Sequence, residues 1–260
     1  MTQPRPPLIE RQEYVPALPV EAFIVPLLRS EIMSLVDTFS HPAGARRALD
    51  VGCGGQPFRR MFESRGYEYV STDAQDPLGI VDYVAEIDGN LPPALLERGP
   101  FDLVLCTEVL EHVADWKTAF ANLSALLGPG GHLVVTCPFF YVLHETPYDF
   151  WRPTPFALRS FATCAGLMEV EVRTVGTSWD ILGTLLGANR GTAHAADRSM
   201  SGRVLAPMLN ILTKGGHWFL RRRWLQARVR WGSTQYPLYL SNVAVFTKPS
   251  RSTDAPQPTA

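Results

Sequence analysis

The chain has 260 residues, 46% of them hydrophobic, which suits one packed α/β-sized domain with an elaboration and excludes a disordered chain. The net charge of −1 argues against a uniformly basic nucleic-acid binder, yet residues 198–253 hold ten of the 24 Lys and Arg and none of the 25 Asp and Glu. No run of about 18 uncharged apolar residues suggests a spanning helix, and the opening MTQPRPPLIERQEYVP lacks the apolar stretch of a secretory signal, so a cytoplasmic location is expected.

Through Pro19 the chain is proline-rich and reads as extended. Residues 19–40 carry Phe23, Leu27, Leu28, Met33, Leu35 and Val36 broadly at helical spacing, with Pro26 as a kink or the true start. After Ala43-Gly44 the pattern alternates. Strands are expected at 48–51, 67–72, 81–87, 101–106, 132–137, 168–175 and 240–247. Helices are expected at 58–64, 115–127 (stopping at Gly128-Pro129-Gly130-Gly131) and 155–165. The FDLVLC run at 101–106 looks buried on both faces, as a parallel strand should be. Such alternation implies a mostly parallel sheet flanked by helices, with ligands at the rim where the strands end. The expected organisation is an N-terminal extension and helix at 1–45, the α/β domain at 46–176 and 237–249, a helical insertion or lid at 177–236, and a disordered tail at 250–260.

The rim residues carry four motifs. Leu49-Asp50-Val51-Gly52-Cys53-Gly54-Gly55 runs a strand into glycines that let the backbone approach a ligand closely. Asp73 ends the second strand, 23 residues after Asp50, where a carboxylate can accept both hydroxyls of a ribose. Glu86-Ile87-Asp88-Gly89 places an acid where it can reach an adenine amine, with an Asp-Gly turn as the competing reading. The fourth and most specific run is Phe101-Asp102-Leu103-Val104-Leu105-Cys106-Thr107-Glu108-Val109-Leu110-Glu111-His112-Val113, followed by Leu126-Leu127-Gly128-Pro129-Gly130-Gly131-His132-Leu133-Val134-Val135.

In this order the motifs resemble the class I S-adenosylmethionine-dependent methyltransferases, in particular the methyltransferase type 11 group, over roughly 48–175 plus the last strand. The resemblance implies a Rossmann-like seven-stranded sheet of order 3-2-1-4-5-7-6 with the seventh strand antiparallel, and S-adenosyl-L-methionine as methyl donor. It implies that Gly52, Cys53 and Gly54 lie by the methionine part of the cofactor, with Asp50 also among the cofactor-binding residues, that Asp73 holds the ribose, that Asp88 faces the adenine, and that Thr107 and Glu108 floor the sulfonium. One departure stands out: the family often continues Gly-x-Gly-x-Gly, whereas here Gln56-Pro57 follow Gly55 and the third glycine is absent.

The acceptor is expected over the ends of the fourth and fifth strands, at the aromatic, charged segment 137–155. An alcohol acceptor benefits from a base, and His144 is the first candidate, its ordinary pKa being nearest neutrality. Asp149 or Glu145 could orient it. His112 reads as a structural histidine at a helix start, and His144, Asp149 and Arg152 could equally form a purely structural network. Segment 137–155 looks like one found in type 11 relatives of sugar and cell-envelope pathways, so the acceptor is a small molecule, a sugar or glycan, or a lipid-linked intermediate. No two of Cys53, Cys106, Cys137 and Cys164 form a CxxC pair, so no metal site is expected.

Residues 217–231 hold three Trp and five Arg without an acid. That composition fits a helix at an anionic membrane interface, or a lid with solvated arginines. Nucleic acid is a weaker fit because the rest of the chain is acidic. Two other functions compete. A non-catalytic cofactor-binding protein would keep the same acids. A nicotinamide oxidoreductase would want Gly-x-Gly-x-x-Gly, and Pro57 stands where its third glycine belongs.

Overall fold

Seven short runs rich in Val, Leu and Phe pair into a single sheet in a computed structural model, which describes residues 12–39, 46–196, 200–222, 224–233, 235 and 237–250. The strands are β1 (Arg46–Val51), β2 (Tyr67–Asp73), β3 (Tyr83–Val84), β4 (Phe101–Thr107), β5 (Leu127–Pro138), β6 (Met168–Val175) and β7 (Ser241–Thr247). Their order is β3-β2-β1-β4-β5-β7-β6. The first five neighbours pair in parallel, and β7 runs antiparallel between β5 and β6. This is the expected order and the expected antiparallel strand.

Helices α1 (Ile24–Phe39), α2 (Arg59–Ser64), α3 (Pro93–Arg98), α4 (Trp116–Leu126) and α5 (Pro155–Cys164) cover both faces. Alternate side chains along each strand feed two cores. Leu49, Val51, Val104 and Cys106 meet α4 and α5 on one side. Ala48, Leu103, Leu105 and Val134 meet α1 and α2 on the other. In β4 every residue except Asp102 is buried, as its apolar run requires. Edge strand β6 instead exposes Glu169 and Glu171.

The boundaries differ from expectation where side chains compete with backbone. β3 is two residues long rather than seven: the Asp82 carboxylate takes both the backbone N–H (2.9 Å) and the hydroxyl (2.8 Å) of Ser71, and the chain then turns at Gly89. β5 begins at Leu127, directly after α4, so the Gly128–Gly131 stretch is a register shift inside the strand rather than a connecting loop. A Cβ at Gly131 would lie 2.8 Å from the Phe101 carbonyl, hence glycine there. Helix α1 starts at Ile24 after a short turn at Pro19–Glu21, which puts Pro26 in its first turn where a missing N–H costs nothing. Ser40, Ala43, Gly44, Arg223 and residues 251–260 of the expected tail lie outside the described residues.

The segment between β6 and β7 folds as α6 (Ser178–Ala188), α7 (Met200–Leu220) and α8 (Trp224–Arg228). Helix α7 continues through Pro207 and takes in His217, Trp218 and Phe219, which the sequence pattern assigns to a separate segment. Helix α6 packs on the N-terminal turn: a Cβ on Gly183 would sit 2.3 Å from the Phe23 ring, and the His217 Nε2–H donates to the Pro19 carbonyl at 2.9 Å. Among the described residues no helix is long and apolar enough to cross a membrane.

Candidate active site

The C-terminal ends of β1, β2 and β4 open into one cleft of about 250 Å³. It is lined by Asp50, Gly52, Cys53, Gly54, Asp73, Asp88, Thr107, Glu108 and His144, so the sheet gathers every one of these expected site residues. Asp149 is not among the lining residues; it sits behind His144.

Backbone geometry shapes the donor end. Gly52 (φ +68°) and Gly54 (φ +48°) hold left-handed conformations that favour glycine. A Cβ on Gly52 would come within 2.2 Å of Val109, whereas one on Gly54 would meet nothing within 4 Å. Gln56 occupies the third-glycine position with φ +58°, and its side-chain amide donates to Ser71 Oγ (3.1 Å) and the Ile80 carbonyl (2.7 Å). Those two bonds hold a non-glycine residue in the conformation the loop needs, which accounts for the departure from Gly-x-Gly-x-Gly.

The acids follow. Asp50 is buried, its Oδ2 accepts from Tyr69 Oη at 2.7 Å, and its Oδ1 has no hydrogen-bond partner among the described residues. Burial pushes its pKa up to about 7 against the opposing effect of Tyr69. Asp73 Oδ2 accepts the Gly54 N–H at 2.9 Å, joining β2 to the glycine loop. At 6% exposed, Asp73 is a buried strand end. Asp88 Oδ2 accepts the Asp115 N–H at 3.2 Å, so the third acid is tied to the start of α4. Cys53 is buried, and burial raises its thiol pKa.

At the end of β4, Glu108 also takes a left-handed φ of +52°. Its Oε1 accepts from Thr136 Oγ1 (2.9 Å) and Ser241 Oγ (3.3 Å). Thr107 Oγ1 lies 2.5 Å from Thr136 Oγ1 and donates to it, since the Thr136 proton is used on Glu108. Burial raises the Glu108 carboxyl against these bonds. Glu111 is fully buried; burial and the nearby Glu108 hold its carboxyl well above the usual range. Glu111 Oε2 accepts weakly from Cys137 Sγ (3.7 Å), and Oε1 has no partner among the described residues.

The acceptor end joins two distant segments. His112, in a turn after β4, places Nε2 3.1 Å from Nε2 of His144 in the 139–154 loop. His112 Nδ1 is 2.9 Å from the Tyr148 carbonyl. His144 Nδ1 is 3.2 Å from the Val142 carbonyl and 3.3 Å from Asp149 Oδ2, which also accepts the His144 backbone N–H at 3.0 Å. Arg152 grips Asp149 with two bonds of 2.6 and 2.7 Å. Burial works to raise the Asp149 carboxyl, but the Arg152 fork and the His144 N–H hold it below the usual range. Burial and His112 both lower the His144 imidazole from its ordinary value. The loop is tied down by the Phe150 N–H to the Glu111 carbonyl (2.8 Å) and by Trp151 Nε1–H to the Val113 carbonyl (2.8 Å). His112 is thus part of the site, not merely a helix-start residue.

Sequence reasoning passed over Tyr14, Glu21, Ile24 and Val25, which wall the cleft from the N-terminal side. No pattern in residues 12–25 signals a ligand; only their position beside β1 does. Among the described residues, none of the insertion expected as a lid lines the cleft. It braces the N-terminal wall from behind instead. The three buried cysteines, Cys53, Cys106 and Cys137, are free thiols that fill strand ends, and Cys164 is exposed.

The family described as a methyltransferase domain matches residues 26–174, more than half of the chain. The chain belongs to that family. The match begins within α1. A ubiquinone biosynthesis O-methyltransferase of Acinetobacter baylyi is 27% identical over 129 residues, covering 45% of this chain and 52% of that protein. One from Burkholderia thailandensis is 28% identical over 172 residues, covering 55% and 73%. Among solved structures, the [4+2]-cyclase SpnF shares the fold with a TM-score of 0.52 at 16% identity, covering 88% of this chain and 94% of that one. Family and strand order together make this a class I methyltransferase whose cofactor is S-adenosylmethionine. The residues fit the cofactor: Asp50, Asp73 and Asp88 line the cleft with acceptor carboxyls, Asp50 Oδ1 has no partner among the described residues, and Gly52 and Gly54 leave the backbone bare. Pro57, standing where the third motif glycine belongs, does not suit a nicotinamide dinucleotide.

Proposed function

We propose that this methyltransferase transfers the methyl group to a hydroxyl oxygen of a small or lipid-linked acceptor bound against the 139–154 loop. The observation that carries the proposal is the His112–His144 pair, buttressed by Asp149 and Arg152 and facing the same cleft as the donor-end acids. S-adenosylmethionine supplies an electrophilic methyl on a sulfonium and needs no activation by protein. A hydroxyl is a weak nucleophile until its proton is drawn away, and a positioned group that does this contributes about 10²–10⁴-fold. In this reading Asp50, Gly52, Cys53 and Gly54 hold the amino-acid end of the donor, Asp73 the ribose and Asp88 the adenine. Thr107 and Glu108 floor the reacting end. His144, oriented by Asp149, handles the acceptor proton together with His112. Tyr14, Ile24 and Val25 exclude water from one side. The relatives are O-methyltransferases by name, which supports oxygen as the acceptor atom. Labelled-methyl transfer to a panel of phenols, sugar alcohols and amines tests it. Methylation of an amine with all hydroxyl acceptors inert would overturn the assignment.

One observation favours a peripheral membrane position for the same enzyme. Helix α7 exposes Leu205, Met208, Ile211 and Leu212 at 52–69%, and Trp218, Trp224 and Trp231 are all at least half exposed. These tryptophans do not pack on the core, as a simple lid would need. Arg222 lies 4.5 Å over the Trp218 ring and Arg221 follows α7, with no acid on the segment. Exposed apolar side chains followed by arginines suit an anionic lipid surface and an acceptor presented from it. Flotation with anionic vesicles at low salt checks this. A protein that stays at the bottom, or one indifferent to Arg221→Ser with Arg222→Ser, leaves the helices as a plain brace.

A further inference from the structure

The His112–His144 pair is short of hydrogens. The Nδ1 atoms of both rings face acceptors, the Tyr148 carbonyl for His112 and the Val142 carbonyl with Asp149 for His144. A carbonyl or carboxylate oxygen cannot donate, so each Nδ1 carries the ring proton and each Nε2 presents a lone pair. Those two lone pairs meet at 3.1 Å. Glu111 Oε1, on a fully buried side chain without a partner among the described residues, lies 3.9 Å from His112 Nε2. The three atoms, Glu111 Oε1, His112 Nε2 and His144 Nε2, all lie within 4.8 Å of one another. Three lone-pair atoms converge, and no hydrogen bond joins the Glu111 oxygen to either ring.

A single shared proton would join the two nitrogens but leave the Glu111 oxygen unpaired in the protein interior. A cation satisfies all three. We propose that Glu111, His112 and His144 bind one divalent first-row transition-metal ion, and that this ion holds and acidifies the hydroxyl of the acceptor. The proposal rests on the hydroxyl-methylation reading and deepens it. Two ligands about 2.1 Å from one ion, at an octahedral or tetrahedral angle, stand roughly 3.0–3.4 Å apart, and the two Nε2 atoms already do. Two imidazoles and one carboxylate form the donor set that leaves coordination positions open on one face. The ring N–H groups pointing at carbonyl and carboxylate are the outer contacts that metal-ligating histidines use to fix their tautomer. Glu145 Oε2 lies 3.8 Å from His112 Nε2, and both Glu145 and His144 border the cleft, so the open face points at the acceptor space. There the hydroxyl oxygen binds the ion, its O–H bond breaks, the electron pair stays on oxygen and the proton leaves to water. The cysteine spacing, from which no metal site is expected, carries no information about this cluster, because no cysteine belongs to it.

Chelator-treated full-length protein titrated with Co²⁺ tests the site through the visible absorption of the bound ion. We expect one equivalent per chain, with affinity lowered at least 10-fold in Asp149→Asn and binding lost in His144→Ala. His144 is half-buried on a loop, so this variant keeps the test sound if a Glu111 variant fails to fold. S-adenosylhomocysteine binding is measured on the same samples with and without Co²⁺, and we expect it to be unaffected. Absence of a stoichiometric Co²⁺ spectrum, or one that persists in His144→Ala, overturns the metal site. Undiminished methyl transfer in excess chelator overturns the role of the ion while leaving the methyltransferase reading intact. Failure of S-adenosylhomocysteine to bind Co²⁺-loaded protein would strike the cofactor reading instead.

Discussion

At the donor end of the cleft, Asp50, Gly52, Gly54, Asp73, Thr107 and Glu108 all stand at or within three residues of a strand terminus, and much of what they present is backbone. At the acceptor end, His112, His144 and Asp149 come from a turn and a loop that meet only through tertiary contacts: the Glu111 carbonyl to Phe150, the Tyr148 carbonyl to His112, and Arg152 to Asp149. Parallel strand order alone positions the first set, because every crossover delivers a strand end to the same rim. Cross-linking side chains position the second. Substitutions at the two ends should therefore separate binding from turnover.

The largest effect is expected at the acceptor end. His144→Ala should lower turnover about 10²-fold or more while S-adenosylhomocysteine affinity, by calorimetry, stays within about twofold. Equal losses in both quantities would erase the distinction between the ends. At the donor end Asp73→Ala should weaken S-adenosylhomocysteine about 10-fold or more, by removing a charge-assisted acceptor and by freeing the Gly54 N–H that shapes the loop. Asp73→Asn keeps an acceptor for Gly54, so any loss it shows isolates the charge from the loop. If both variants bind like the parent, Asp73 is a structural residue.

The smallest effect is on stability and sharpens the donor end alone. The Asp50 carboxyl rises from 3.8 to about 7 on folding because it is buried. The native state therefore binds more protons than the unfolded chain between those values. The stability tied to this group is fully present below about pH 4 and lost as pH rises through 7, amounting to ~4 kcal/mol at the outside. Melting of the cofactor-free protein should fall between pH 5 and 8, and Asp50→Asn should flatten that fall. An identical slope in both proteins would show that Asp50 is ionised throughout.

The legibility of the sequence follows the same division. The glycine loop, Asp73 and the run from Phe101 to Val113 identify the donor end because their spacing repeats a local strand–loop–helix unit. His144 and Asp149 were readable as chemically suited residues, but their pairing with His112 was not, since 32 residues separate the two rings in sequence. Glu111 looked like one more polar residue in a motif, although its burial makes it the acid most in need of a partner. The short β3 and the long β5 were misread because side-chain bonds from Asp82 and the close packing of Gly131 decide where pairing starts and stops.

By itself the sequence determined the seven strands, their order through the family resemblance, the acids at the strand ends and the basic, acid-free insertion. Those features rest on residue type and short spacing, which the chain carries locally. Only the tertiary structure decided that the N-terminal segment walls the cleft, that the insertion braces this wall, and that two histidines and a buried glutamate converge. Each of these depends on contacts between segments far apart in the chain, where packing and the need to satisfy buried polar groups, not local propensity, select the arrangement.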